Sequence, residues 1–137
     1  MFKIKIVTTG QVKESWLKEA LLDYERRMQG RLKIEWCLAI SEEKIGKLID
    51  GPYIALDIEG DMLSSGGVHE KLYNSWGARP MFVIGGASGL RAEIKQRAFF
   101  RWSLSRLTLT HQMTRLILAE QLYRALEIEQ QTPYHKW

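Results

Sequence analysis

The chain has 137 residues, of which 45% are hydrophobic and 26% charged, with a formal net charge of +4. That length suits one domain, 1–137, with a sizeable core, and the balance excludes a disordered or fibrous chain. No run approaches the roughly 20 consecutive apolar residues of a membrane helix. The opening Met-Phe-Lys-Ile-Lys-Ile-Val alternates apolar and charged positions where a signal peptide is continuously apolar. The one cysteine, Cys37, has no internal disulfide partner and lies among Ile34, Trp36, Leu38 and Ile40. A buried structural thiol in a cytoplasmic protein is therefore expected.

Taken in chain order, residues 2–8 read as a strand. Residues 13–29 read as an amphipathic helix, because Leu17, Ala20, Leu21, Tyr24 and Met28 recur at helical spacing. Arg26 and Arg27 suit the negative end of its dipole, and Gly30 follows as a stop. A second strand spans 33–40, then a short helical stretch runs to about Leu48. Tyr53–Asp57 is a third strand. A helix over 66–76 starts after Ser64 or Ser65 as N-cap. Pro80–Ile84 is a fourth strand with the apolar character of a buried parallel sheet. A helix from about Arg91, a short strand near Trp102–Ser105, and a long helix over His111–Glu129 complete the pattern before the tail, 130–137. Strand and helix alternate five times, which predicts an α/β fold: a mostly parallel sheet flanked by helices on both faces. Ligands in such sheets bind beyond the carboxyl ends of the strands. The loops Asp57–Gly67, Gly85–Leu90 and Ser105–Thr110 are the candidates.

Gly85-Gly86-Ala87-Ser88-Gly89 joins a strand to a helix without the spacing of a dinucleotide fingerprint or a phosphate loop. A tight turn and a ligand loop are equally compatible with it. Asp57, Glu59 and Asp61 follow a strand with no His or Cys cluster beside them, so a solvated acidic loop is expected rather than a metal site. His111 and Arg115, four apart, share one face of the last helix near its start, whereas Arg124 lies half a turn away and can pair with Glu120. Between Arg91 and Arg106 five basic residues are opposed only by Glu93 and interleaved with Phe99, Phe100 and Trp102. The stretch suits either a nucleic-acid face or a solvated helix whose aromatics turn into the core. The tail residues Tyr134, His135 and Lys136 suit contact with a nucleotide.

With these pieces in place, the chain resembles SPOUT-class methyltransferases of the ribosomal RNA large subunit methyltransferase H (YbeA-like) group. The likeness runs end to end, through Lys3-Ile-Lys-Ile-Val-Thr-Thr-Gly10, Ala55-Leu-Asp-Ile-Glu-Gly60, Phe82-Val-Ile-Gly-Gly-Ala-Ser-Gly-Leu90, Leu104-Ser-Arg-Leu-Thr-Leu109, Arg115–Ala125 and Pro133-Tyr-His-Lys136. Each motif is weak singly; the ordered set is specific. The resemblance implies a C-terminal trefoil knot, a rare exception to unknotted topology. It also implies S-adenosylmethionine held by Leu56, Gly85, Leu104, Ser105, Arg106, Leu107, Thr108 and Leu109, and a homodimer with its active site at the subunit interface. The implied reaction is methylation of N3 of a pseudouridine in 23S ribosomal RNA of the assembled ribosome, with no metal. His111 and Arg115 are the expected chemical residues, as base and charge stabiliser, with Tyr134 and His135 placing the target. Two departures stand out: Thr110 replaces a proline common in the family, and the segment between Lys44 and Tyr53 is shorter by about a helix.

Overall fold

The computed structural model describes residues 2–137. Five strands, β1 (Phe2–Thr9), β2 (Leu32–Ala39), β3 (Ile54–Met62), β4 (Met81–Val83) and β5 (Phe100–Ser103), form one sheet in the order β2-β1-β4-β3-β5. Every pairing is parallel, as the alternation of strands and helices predicts. The helices are α1 (Ser15–Arg27), α2 (Ser65–Asn74), α3 (Ala92–Arg97) and α4 (His111–Glu129), with a 3₁₀ helix at Glu42–Leu48.

The two-residue period of the strands divides the core. Ile4 and Ile6 of β1 point with Phe82 and Trp102 toward Val68 and Leu72 of α2 and Leu118 and Leu122 of α4. Val7 points with Ala55 and Val83 toward Ile45 of the 3₁₀ helix and the α3 side chain Ile94. Helix α4 packs against both α1 and α2. Its Leu118, Ala119, Leu122, Ala125 and Leu126 are buried within the one chain. That accounts for much of an apolar content too broad for a single stripe. Among the described residues no helix is long and apolar enough to cross a membrane.

Several boundaries differ from the sequence reading, and three of the differences matter here. Strand β3 does not stop at Asp57. It continues to Met62 after a bulge, pairing Leu56 with Trp102 and then Asp61 with the same residue. Asp57 accepts a hydrogen bond from Glu59 N at 3.0 Å within the bulge. Gly60 permits the close approach, since a Cβ there would lie 2.8 Å from Trp102 N. Strand β5 begins two residues earlier than expected because Phe100 pairs with Ile54. Strand β2 ends at Ala39, leaving Ile40 95% exposed. Cys37 is half-buried rather than buried, and desolvation raises its thiol pKa.

Candidate active site

A cleft of about 780 Å³ opens beyond the carboxyl ends of β4 and β5 and against the bulge of β3. All three suspected segments reach it, through Asp57 and Ile58, through Gly85–Leu90, and through Ser105 and Leu107–Thr110, joined by Leu56, Leu104 and the first turns of α1 and α4. Its size is that of a small-molecule or cofactor site.

The glycine loop is folded tightly on itself. Gly89 N donates to Gly86 O at 3.0 Å, and Gly89 takes a φ of +80° that favours glycine. A Cβ on Gly85 would sit 2.5 Å from the Gly89 carbonyl carbon, so that position has no room for a side chain. Glu42 of the 3₁₀ helix clasps the loop from outside by accepting from Ser88 N at 3.2 Å. The following loop is held by its own serines. Ser103 Oγ donates to Ser105 O at 2.9 Å, and Ser105 Oγ accepts from Leu107 N at 2.9 Å. Leu104, Ser105, Leu107, Thr108 and Leu109 line the cleft, but Arg106 does not. Its guanidinium turns back to the Ile58 carbonyl, removing its side chain from the lining.

Helix α4 starts in the cleft wall. Thr110 caps it, its Oγ1 accepting from Met113 N at 3.1 Å, which puts His111 in the first turn facing the opening. Burial, reinforced by the nearby Arg115 charge, lowers the His111 pKa below the ordinary value near 6.5, against an opposing pull from Glu42 and Glu14. The imidazole is therefore neutral at pH 7. Arg115 lies behind this turn, 1% exposed and absent from the cleft lining. Its Nη2 donates to the carbonyls of Thr9 at 2.7 Å and Gly10 at 2.6 Å. These bonds anchor the end of β1 to α4.

The tail is elsewhere. Tyr134 donates to Glu120 at 2.6 Å, and its ring stacks edge-on against Tyr123 and beneath Arg124, whose guanidinium lies 4.7 Å from its centroid. His135 Nδ1 is 3.1 Å from Arg124 Nη1. Burial and then the Glu120 hydrogen bond raise the Tyr134 pKa strongly, so it remains a neutral phenol. None of these tail residues lines the cleft that holds His111.

The acidic and basic segments also meet. Asp57 is not solvated: its carboxylate is 1% exposed, 3.4 Å from Arg101 and 3.7 Å from Lys95. Arg91 pairs with Glu43 at 3.5 Å. Of the interleaved aromatics, Trp102 is core and Phe100 is half-buried under Lys71, while Phe99 is 64% exposed. Among the described residues no group of three or more His, Cys, Asp or Glu could hold a metal ion.

A family model described as "Predicted SPOUT methyltransferase" matches residues 2–135. The chain belongs to this methyltransferase family. A protein of Protochlamydia amoebophila named ribosomal RNA large subunit methyltransferase H is 40% identical, covering 99% of this chain and 100% of its own. A Bacillus pumilus protein of the same name is 37% identical over 97% of this chain and 99% of its own. Among solved structures, a probable methylase family protein from Haemophilus influenzae superposes with a TM-score of 0.62 at 11% identity, covering 98% of this chain and 70% of that one. TrmJ from Z. mobilis gives 0.56 at 10% identity, with 99% and 73% covered. At such identities these two structures are alike in fold alone.

In this SPOUT methyltransferase, sequence reasoning found the three loops but missed Glu14, Trp16, Lys95 and Gln112 in the cleft lining. Trp16 had a legible signal. It lies off the stripe formed by Leu17, Ala20, Leu21, Tyr24 and Met28, and an aromatic off the buried face is 56% exposed here.

Proposed function

We propose that this chain, acting as one domain over 1–137, transfers a methyl group from S-adenosylmethionine to N3 of a pseudouridine in large-subunit ribosomal RNA, in the cytoplasm and on the assembled ribosome. The observation that carries the reading is one cleft combining the glycine loop, the Leu104–Leu109 loop and a neutral His111. The names of the full-length relatives support the RNA substrate.

The residues present fit the cofactor. Leu56, Ile58, Leu104, Leu107 and Leu109 offer apolar surface for a nucleoside. Two cleft-lining side chains, Trp102 and Gln112, each carry a buried polar atom, Nε1 and Oε1, without a protein partner. The C-terminal trefoil knot implied by the resemblance belongs to this proposal, as do the cofactor roles of Leu56, Gly85 and the 104–109 loop. Arg106 serves there by tying its loop to Ile58.

S-adenosylmethionine supplies a methyl already activated on its sulfonium. The protein must hold the acceptor in line and remove its proton. An imide N3–H is a poor nucleophile until deprotonated. His111, neutral at pH 7, would accept that proton and release it to solvent. Arg115 is a positioning residue: it fixes the turn bearing His111 and, by its charge, keeps the imidazole neutral. Tyr134 and His135 place the base from the partner subunit of a homodimer, which answers their separation from His111 within one chain.

The test is transfer of labelled methyl from S-adenosylmethionine to ribosomes from cells lacking this enzyme. Incorporation at one pseudouridine of large-subunit RNA is expected. A folded protein that labels no ribosomal RNA would contradict the substrate.

A further inference from the structure

The cleft lining contains one residue of fixed positive charge among the described residues, Lys95 of α3. Its charge is not fully spent on the protein. The nearest carboxylate, Asp57, is 3.7 Å from Lys95 Nζ, beyond ordinary hydrogen-bond length. That carboxylate also faces Arg101 at 3.4 Å and accepts from Glu59 N at 3.0 Å. Two cations thus share one buried anion, so the Lys95 ammonium, which lines the cleft beside Asp57, is only partly neutralised there. Arg106, the other cation of the neighbouring loop, is turned away to the Ile58 carbonyl. Arg115 is sequestered on Thr9 and Gly10.

S-adenosylmethionine carries a single anionic group, the carboxylate of its amino-acid end. We propose that Lys95 is the counter-ion of that carboxylate, with Asp57 holding the lysine stem in place. Lys95 is then a specificity residue for the amino-acid half of the cofactor, distinct from the apolar surface that takes the nucleoside half. The inference rests on the adenosyl-donor reading above. The half-exposed side of the lysine is compatible with this role, since its side chain retains 30% of its exposure while the Asp57 carboxylate retains 1%. A partly desolvated cation held by a buried anion loses little freedom on pairing with an incoming carboxylate.

The test compares two ligands by calorimetric titration: S-adenosylmethionine, and 5′-methylthioadenosine, which has the nucleoside and thioether but no amino-acid end. Lys95→Met is expected to weaken S-adenosylmethionine by about tenfold or more and to leave methylthioadenosine unchanged. Lys95→Arg, which keeps the charge, is expected to stay within about threefold for both. Equal weakening of both ligands by Lys95→Met, with Lys95→Arg unaffected, would overturn the assignment, because the lysine would then support the site as a whole. Unchanged affinity for both with weaker binding to ribosomes would also overturn it, by giving the lysine to an RNA phosphate. Wild-type protein that binds methylthioadenosine but not S-adenosylmethionine would refute the counter-ion role alone. Binding of neither would refute the adenosyl-donor reading and the inference with it.

Discussion

At Gly85 a single hydrogen stands where any other residue would drive a Cβ to 2.5 Å from the Gly89 carbonyl carbon and 2.6 Å from Leu90 N. Both neighbours are backbone, so the loop itself must shift. Gly85→Ala is expected to cost about 1–3 kcal/mol and to weaken cofactor binding at least about tenfold while the far-ultraviolet spectrum is retained. Unchanged affinity in a calorimetric titration would remove Gly85 from the cofactor site. His111 makes a prediction about pH. Its proton affinity is lowered by burial first and by Arg115 second, so it is protonated only below the ordinary value near 6.5. The base is lost as pH falls through that lowered value, and the rate of methyl transfer should rise with pH and level off by neutrality. His111→Ala should bind cofactor normally, lose the plateau and continue to rise into the alkaline range as the imide ionises unaided. A plateau retained in the variant would end the base assignment.

At the scale of elements, α4 carries the site at one end and the tail at the other. Its first turn depends on Thr110, which supplies the cap hydrogen bond at 3.1 Å. Thr110→Ala should destabilise the fold by about 1 kcal/mol, a fall of roughly 3–5 °C in Tm for a chain of this size. Because the frayed turn is the one bearing His111, kcat should fall as well; a lower Tm with full kcat would show that the turn does not need its cap. The elements β1 and α1 were legible in the sequence because periodicity reports burial directly, and α4 was legible by its length of unbroken helical pattern before the tail. The bulge of β3 was not. Acidic residues after a strand look like a solvated loop until Arg101 and Lys95, some forty residues later, neutralise Asp57 inside the sheet. The partners of Arg115 were hidden for the same reason. Spacing places it on the face of His111, but only the fold reveals the Thr9 and Gly10 carbonyls that take up its guanidinium. The motifs of the three loops pointed to much of the cleft lining, while Trp16 of the lining and Glu42, which holds the glycine loop, arrive from elements that carry no motif.

For the whole molecule, charge and assembly decide how RNA is met. Of the basic run, Arg91, Arg101 and Arg106 already have protein partners and Lys95 lines the cleft, which leaves exposed Arg97 beside exposed Phe99 as the freer pair for RNA. Ribosome affinity should therefore fall with salt at a slope of about −0.7 to −0.9 for each phosphate engaged, with Arg97→Ala making the slope shallower by about one such unit. An unaltered slope would place the RNA on another face.

The separation of His111 from Tyr134 and His135 leads to the most direct test of the central claim, that two subunits complete each methyl-transfer site. Two proteins expected to be inactive at neutral pH, His111→Ala and the double variant Tyr134→Phe with His135→Ala, are assayed there for methyl transfer to ribosomes alone and after subunit exchange. A mixed dimer holds one cleft with an intact His111 facing an intact tail. Recovery of a substantial fraction of wild-type activity on mixing is therefore expected. Two variants that stay inactive together, although subunit exchange is verified, would contradict a shared site and confine the chemistry to a single chain.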